Sequence, residues 1–191
     1  KSNKKQKFPK GNLVFSQISR RTPKYILYAV TLKKFHNTIY YGQELFYEYF
    51  RNLEYLNKLA KVENLKICVK HHPNYMFTNK ISAEYFKNLK FSDKNIDATL
   101  KKAEMLISFS SSSIEDALSS KIPVILFDPW KRYKHCKSEM KQAKNKCIYY
   151  INKDHHLIKA IKAVRQNKTM NFSDYTYTDD INKNIKKLVN E

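Results

Sequence analysis

Three short clusters of polar residues carry whatever chemistry this sequence can offer. The first is "KHHPNY" at 70–75. A residue before proline is pushed toward extended backbone, so Pro73 pins His72 at a strand end. There its imidazole can donate to a phosphate or serve as an acid near neutral pH. A single histidine is most often structural, but His71 and His72 in succession behind a lysine shift the reading toward function. The second cluster is Ser110, Ser111, Ser112 and Ser113, which run straight into "IEDALSS". A helix N-terminus presents unpaired N–H groups and partial positive charge, a ready anion site, and serine hydroxyls add further donors. A plain N-cap needs only one serine, so four together favour a phosphate ligand. Glu115 and Asp116 follow in the first turn. A carboxylate there can accept from ribose hydroxyls, but compensation of the helix dipole explains the pair too, and spacing alone favours the dipole.

The third cluster is "DPWKRYKH" at 128–135. Arg132, Tyr133 and His135 suit stacking on a base or clamping a pyrophosphate, and an ordinary surface loop explains them equally well. His36, His155 and His156 lack a partner pattern. No spacing of His, Cys, Asp or Glu suggests a metal site, and there is no DxD pair. Neither a metal nor a cofactor is expected beyond a nucleotide-activated substrate.

These clusters matter because of where the surrounding elements put them. Apolar, β-branched and aromatic runs alternate with segments of helical period. "KYILYAVTL" (24–32) reads as the first buried strand, with a smaller one possible before it at "NLVFSQ". Apolar residues from Leu45 to Leu59 recur at helical spacing, which predicts a helix over 43–60. "LKICVKHH" (65–72) is the second strand. A short helix near 81–88 leads to "LKF" (89–91), and helical turns from Ile96 to Ala103 lead to "MLISFS" (105–110). "SIEDALSS" is a helix, "IPVILFD" a strand, "KCIYYIN" (146–152) another strand, and 154–167 a helix. Strands that are apolar throughout and alternate with helices predict an α/β fold, a doubly wound parallel sheet covered on both faces. In such sheets ligands sit beyond the C-terminal ends of the strands, and all three polar clusters fall at predicted strand exits. The expected organisation is a basic, extended lead-in over 1–23, a Rossmann-like domain over 24–168, and a tail over 169–191 with a terminal helix around Ile181–Val189.

Composition narrows the partners. Lys and Arg number 37 against 17 acidic residues, a formal charge of +20 in 191 residues, which raises nucleic acid, anionic lipid and phosphorylated ligands. Only Arg20, Arg21, Arg51, Arg132 and Arg165 are arginines, while Lys, Asn, Ile and Tyr abound, as AT-rich codon usage would yield. Sequence-specific readers of nucleic acid rely on bidentate arginine, so no specific nucleic-acid partner is expected. Cys68, Cys136 and Cys147 form no CxxC pair and suggest a reducing compartment. No apolar run approaches the length of a membrane span. A cytoplasmic location, with contact at the anionic inner face of the membrane, is the expectation.

With these residues in view, the chain resembles the C-terminal, nucleotide-binding half of a GT-B glycosyltransferase. Bacterial surface-polysaccharide transferases and the UDP-N-acetylglucosamine 2-epimerase fold come closest. The resemblance covers roughly 24–168 and rests on "KHHPNY", similar to the His-Pro motif of capsule transferases, and on "SFSSSSIEDALSSKIPVILFDP". The latter is similar to the family's small-residue turn, acidic helix start and "G-x-P-x-I" strand, with Ser in place of the turn's Gly and Lys121 where Gly often precedes the strand. The resemblance implies that Ser111 to Ser113 bind the donor's phosphates, Glu115 the ribose, and His72 the phosphate or leaving group. Ser110, Asp116, His71, Pro73, Arg132 and His135 complete the expected binding set. GT-B enzymes need two Rossmann-like halves, so the chain, which begins with Lys rather than Met, is expected to be the donor-binding part of a longer transferase. It would use a nucleotide-sugar donor and a glycan or lipid-linked acceptor. An epimerase-like sugar-nucleotide enzyme, or a non-catalytic basic module on membrane or nucleic acid, are the alternatives.

Overall fold

The computed structural model describes residues 22–30, 39–71, 78–109, 111–130 and 146–173. In chain order these form β1 (Tyr25–Ala29), α1 (Ile39–Val62), β2 (Ile67–Lys70), α2 (Thr78–Tyr85), β3 (Leu89–Phe91), α3 (Ile96–Leu100), β4 (Ala103–Ser108), α4 (Ser113–Ser119), β5 (Val124–Phe127), β6 (Ile148–Ile151) and α5 (Leu157–Gln166). A 3-10 turn at Asp154–His156 leads into α5. The strand suggested at "NLVFSQ" and the terminal helix around Ile181–Val189 lie outside the described residues.

The six strands form one sheet in the order β3-β2-β1-β4-β5-β6, and every pairing is parallel. This is the doubly wound, Rossmann-like α/β arrangement expected from the sequence. Its cause is visible in the strands: every residue of β2 and β5 is buried, whereas β3 and β6 at the edges are only partly covered. A strand buried on both faces must be apolar throughout, and it needs helices above and below.

Two apolar layers supply that cover. On one face Leu53 and Leu56 of α1 and Leu157, Ile161 and Val164 of α5 pack on Ile26, Val69, Ile107 and Ile125. On the other, Leu100 of α3 and Ile114, Ala117 and Leu118 of α4 pack on Leu27, Leu106, Val124 and Leu126. Alternation along each strand sends successive side chains to opposite layers. Each fully buried Leu or Ile is worth about 1.5–3 kcal/mol of transfer energy, so the two layers stabilise the sheet whose edge carries the polar clusters.

The helix ends show how a chain with so little glycine turns. After α4, Lys121 has φ of 56°, in the left-handed region. Its N–H bonds the carbonyl of Leu118 at 3.0 Å, and the N–H of Ile122 bonds that of Ala117 at 2.8 Å. That is the Schellman pattern, which favours glycine at this position. Asn64 does the same after α1, with φ of 48° and Leu65 N–H on the Ala60 carbonyl at 2.9 Å. Lys121 thus occupies a backbone position suited to glycine. Among the described residues no helix is long and apolar enough to cross a membrane.

Candidate functional site

The sheet order reverses direction between β1 and β4, because the chain leaves β1 toward β2 on one side and returns to pair β4 on the other. At such a switch point neighbouring loops diverge and leave a crevice. Here a cavity of about 290 Å³ opens beyond the strand ends, walled by Val30 after β1, Lys70 and His71 at the end of β2, Asn95 before α3, and Ser111–Ser113 and Asp116 at the start of α4. Ser108, fully buried at the end of β4, donates its hydroxyl to the Ala29 carbonyl at 3.0 Å and ties the two diverging strands together.

The serine turn is organised by its own hydroxyls. The Ser111 Oγ accepts the Ser113 N–H at 3.3 Å and lies 2.8 Å from the Ser113 Oγ. The Ser111 carbonyl accepts from Ile114 N–H at 3.0 Å, so helical bonding begins within the serine run. Ser112, the residue flanking α4, is exposed, and its side chain makes no capping bond. The capping work therefore falls to Ser111, and Ser112, which lines the cavity, takes no part in the cap. One serine for the cap and others beside a cavity is the division that a four-serine run allows.

Lys70 is the residue that sequence reasoning passed over. It is 5% exposed, and its ammonium donates to the His71 carbonyl at 2.8 Å. Burial pulls its amine below the usual lysine range, while the Asp93 carboxylate opposes that shift. Among the described residues this bond uses one of its three N–H donors, and an anion in the cavity could take another. The available signal was a lysine ending the wholly buried strand "ICVK", directly ahead of two histidines. Across the cavity Asp116 has the opposite character. Burial, and secondarily the carboxylates of Asp97 and Glu115, raise its carboxyl above the usual range.

His71 is held by the core. It is 1% exposed, its Nε2 lies 2.6 Å from the Tyr49 hydroxyl, and that hydroxyl lies 2.8 Å from Ser82 Oγ. Its ring also stacks on Phe91, with centroids 5.8 Å apart and planes 11° apart. The imidazole is therefore fixed by α1, α2 and β3, while the residue contributes to the cavity wall. His72, Pro73, Ser110, Arg132 and His135 lie outside the described residues. The structure thus brings together Ser111, Ser112, Ser113, Asp116 and His71 around one opening, with Glu115 in the same first turn.

No family model matches the sequence, and no curated protein matches it. Solved structures do share the fold. The UDP-GlcNAc 2-epimerase of Methanocaldococcus jannaschii, in complex with UDP-GlcNAc and UDP, superposes with a TM-score of 0.52 at 15% identity, over 88% of this chain and 46% of that one. A variant of the wall teichoic acid polymerase TagF soaked with CDPG gives a TM-score of 0.53 at 18% identity, over 90% of this chain and 42% of that one. The chain spans less than half the length of either structure. At these identities the likeness is one of fold, and the fold is that of one half of each.

Proposed function

We propose that this chain is the donor-binding half of a nucleotide-sugar-dependent glycosyltransferase of the GT-B type, acting in surface polysaccharide synthesis at the cytoplasmic face of the membrane. The observation that carries the reading is the switch-point cavity, where a buried lysine faces a serine turn at a helix start. The two solved structures of the same fold add weight, since one holds UDP-GlcNAc and UDP and the other was soaked with CDPG.

The chemistry divides between the two walls. The Lys70 ammonium and the hydroxyls of Ser112 and Ser113 would hold the donor's phosphates, and Asp116 and Glu115 would accept from ribose or sugar hydroxyls. In transfer the bond between the anomeric carbon and the phosphate oxygen breaks, and its electron pair stays on the departing nucleotide. Lys70 and the serine donors would stabilise that developing charge, with His72 as the neighbouring acid. The acceptor hydroxyl forms the new bond to the anomeric carbon and gives its proton to a base, which in GT-B enzymes usually comes from the other half.

The epimerase of the same fold keeps a second reading in play, in which the same cavity holds a sugar nucleotide that is isomerised at carbon 2. Product analysis on the longer enzyme separates the two. The common requirement is tested on this chain by thermal unfolding with UDP, CDP, CMP and GDP. A ligand at 100 times its dissociation constant adds about 2.7 kcal/mol of stability. At least one nucleotide should raise the midpoint, and Ser112→Ala should shrink the rise. No shift with any of them at saturating concentration contradicts the reading.

A further inference from the structure

A larger opening lies on the same strand-exit edge but away from the switch point. It has about 490 Å³ and is bounded by Arg51, Asn52 and Tyr55 of α1, Trp130 after β5, and Asn152 and Asp154 after β6. Trp130 is 42% exposed, and Tyr47, 58% exposed, meets it edge-on with ring centroids 5.9 Å apart. A large aromatic left in solvent beside a cleft is more informative than a buried one. The back of the cleft is fixed, since Tyr55 stacks on Phe127 and gives its hydroxyl to the Asp154 carbonyl. Besides the indole, the lining has two amides, the Asp154 carboxylate, the lysines Lys58 and Lys153, and a guanidinium paired with Glu54 at 2.9 Å. The Asn52 amide makes a long 3.5 Å contact to the Tyr28 hydroxyl.

That lining has a specific chemical complement. A pyranose ring offers one face of C–H groups, which packs on an aromatic plane, and a rim of hydroxyls that both donate and accept. Amides and a paired guanidinium–carboxylate satisfy such a rim in both directions. Lys58 and Lys153 also line the cleft, so its charges are of both signs and the saccharide reading rests on the exposed indole and the two amides. The volume is that of an ordinary ligand cleft.

We propose that this cleft binds an oligosaccharide, with one pyranose stacked on Trp130 and its hydroxyls held by Asn52, Asn152 and the Arg51–Glu54 pair. The saccharide site stands independently of the transferase reading.

The chain has a single tryptophan, so its indole emission reports on this cleft alone. The experiment titrates the 191-residue chain with short oligosaccharides of glucose, galactose, N-acetylglucosamine and N-acetylmannosamine, following Trp130 emission and, for the variants, calorimetric heat. At least one saccharide should shift the emission with saturation. Trp130→Ala should weaken its binding about tenfold or more, Trp130→Phe should restore part of it, and Asn152→Ala should weaken it separately. Both positions are at the surface, and an unchanged melting temperature identifies a folded variant. The proposal is overturned if no saccharide moves the emission, if Trp130→Ala binds as the parent does, or if nucleotides move the emission and saccharides do not. Nucleotide protection measured on Trp130→Ala keeps the two ideas apart. In the parent chain, nucleotide protection without any saccharide binding sinks this site and spares the donor reading, and saccharide binding without protection does the reverse.

Discussion

Lys70→Met separates what the buried lysine does for stability from what it does for binding. Lys70 is the one lysine or arginine among the described residues that line the switch-point cavity. In the fold its amine is pulled below the usual lysine range by burial. The unfolded chain therefore keeps this proton to higher pH than the fold does, and stability rises with pH across that interval. Below it, at neutral pH, the fold bears the whole cost of the buried charge. Met has nearly the same length and removes that cost, while loss of the bond to the His71 carbonyl costs about 1 kcal/mol. The two effects oppose one another, so the melting temperature should change little, and the alkaline rise in stability should disappear. Binding has no such offset. A charged hydrogen bond to phosphate is worth about 1.5–3 kcal/mol, which is about a 10- to 150-fold loss in nucleotide affinity. Calorimetric titration with the best nucleotide, alongside urea unfolding from neutral to alkaline pH, reads both quantities. A folded Lys70→Met protein that binds nucleotide within about twofold of the parent would refute the reasoning, because the phosphates would then lie elsewhere.

Four further substitutions probe neighbouring residues. Ser111→Ala removes the hydroxyl that accepts the Ser113 N–H and should cost about 1 kcal/mol of stability, whereas Ser112→Ala should leave stability unchanged and weaken nucleotide binding about three- to tenfold; urea unfolding and calorimetry distinguish them. Lys121→Gly relieves a left-handed backbone and should stabilise the chain by about 1 kcal/mol, seen as a rise of about 2–4 °C in melting temperature. Asp116 has a carboxyl raised first by burial and then by Asp97 and Glu115. The fold is penalised once this group ionises, fully above its folded pKa and not at all below the unfolded value. Asp116→Asn should therefore stabilise the chain at neutral pH, with the gain fading in acid, as a pH series of melting curves would show.

Much of this architecture was legible because burial on two faces leaves a strong mark. "ICVK", "MLIS" and "VILF" admit few placements other than strands inside a covered parallel sheet, and the helix at 43–60 was set by its apolar spacing. Boundaries drifted where no residue type enforces them. The first strand was expected over 24–32, and β1 ends at Ala29; α1 begins at Ile39, ahead of the apolar stripe that announced it. The serine turn was readable because four hydroxyls exceed what a cap needs, whereas the left-handed backbone of Lys121 carries no mark in its residue type. Lys70 was not readable in the same way. A terminal lysine on a strand normally reaches solvent, and only the three-dimensional convergence of β2, α3 and α4 encloses this one. The Trp130 cleft was hidden for a similar reason. Its walls come from α1, the turn after β5 and the turn after β6, which are far apart in sequence and meet only through the sheet order.

On the proposed reading, a nucleotide's phosphates bind at the β1–β4 switch point between Lys70 and the serine turn. Backbone amide shifts of isotope-labelled chain, mapped during titration with UDP and CDP, test it most directly. Saturable shifts should centre on Lys70, His71 and Ser111–Asp116 and be absent in Lys70→Met at the same nucleotide concentration. Shifts confined to the Arg51–Lys58 and Asn152–Asp154 segments, or no saturable shifts at all, would contradict it.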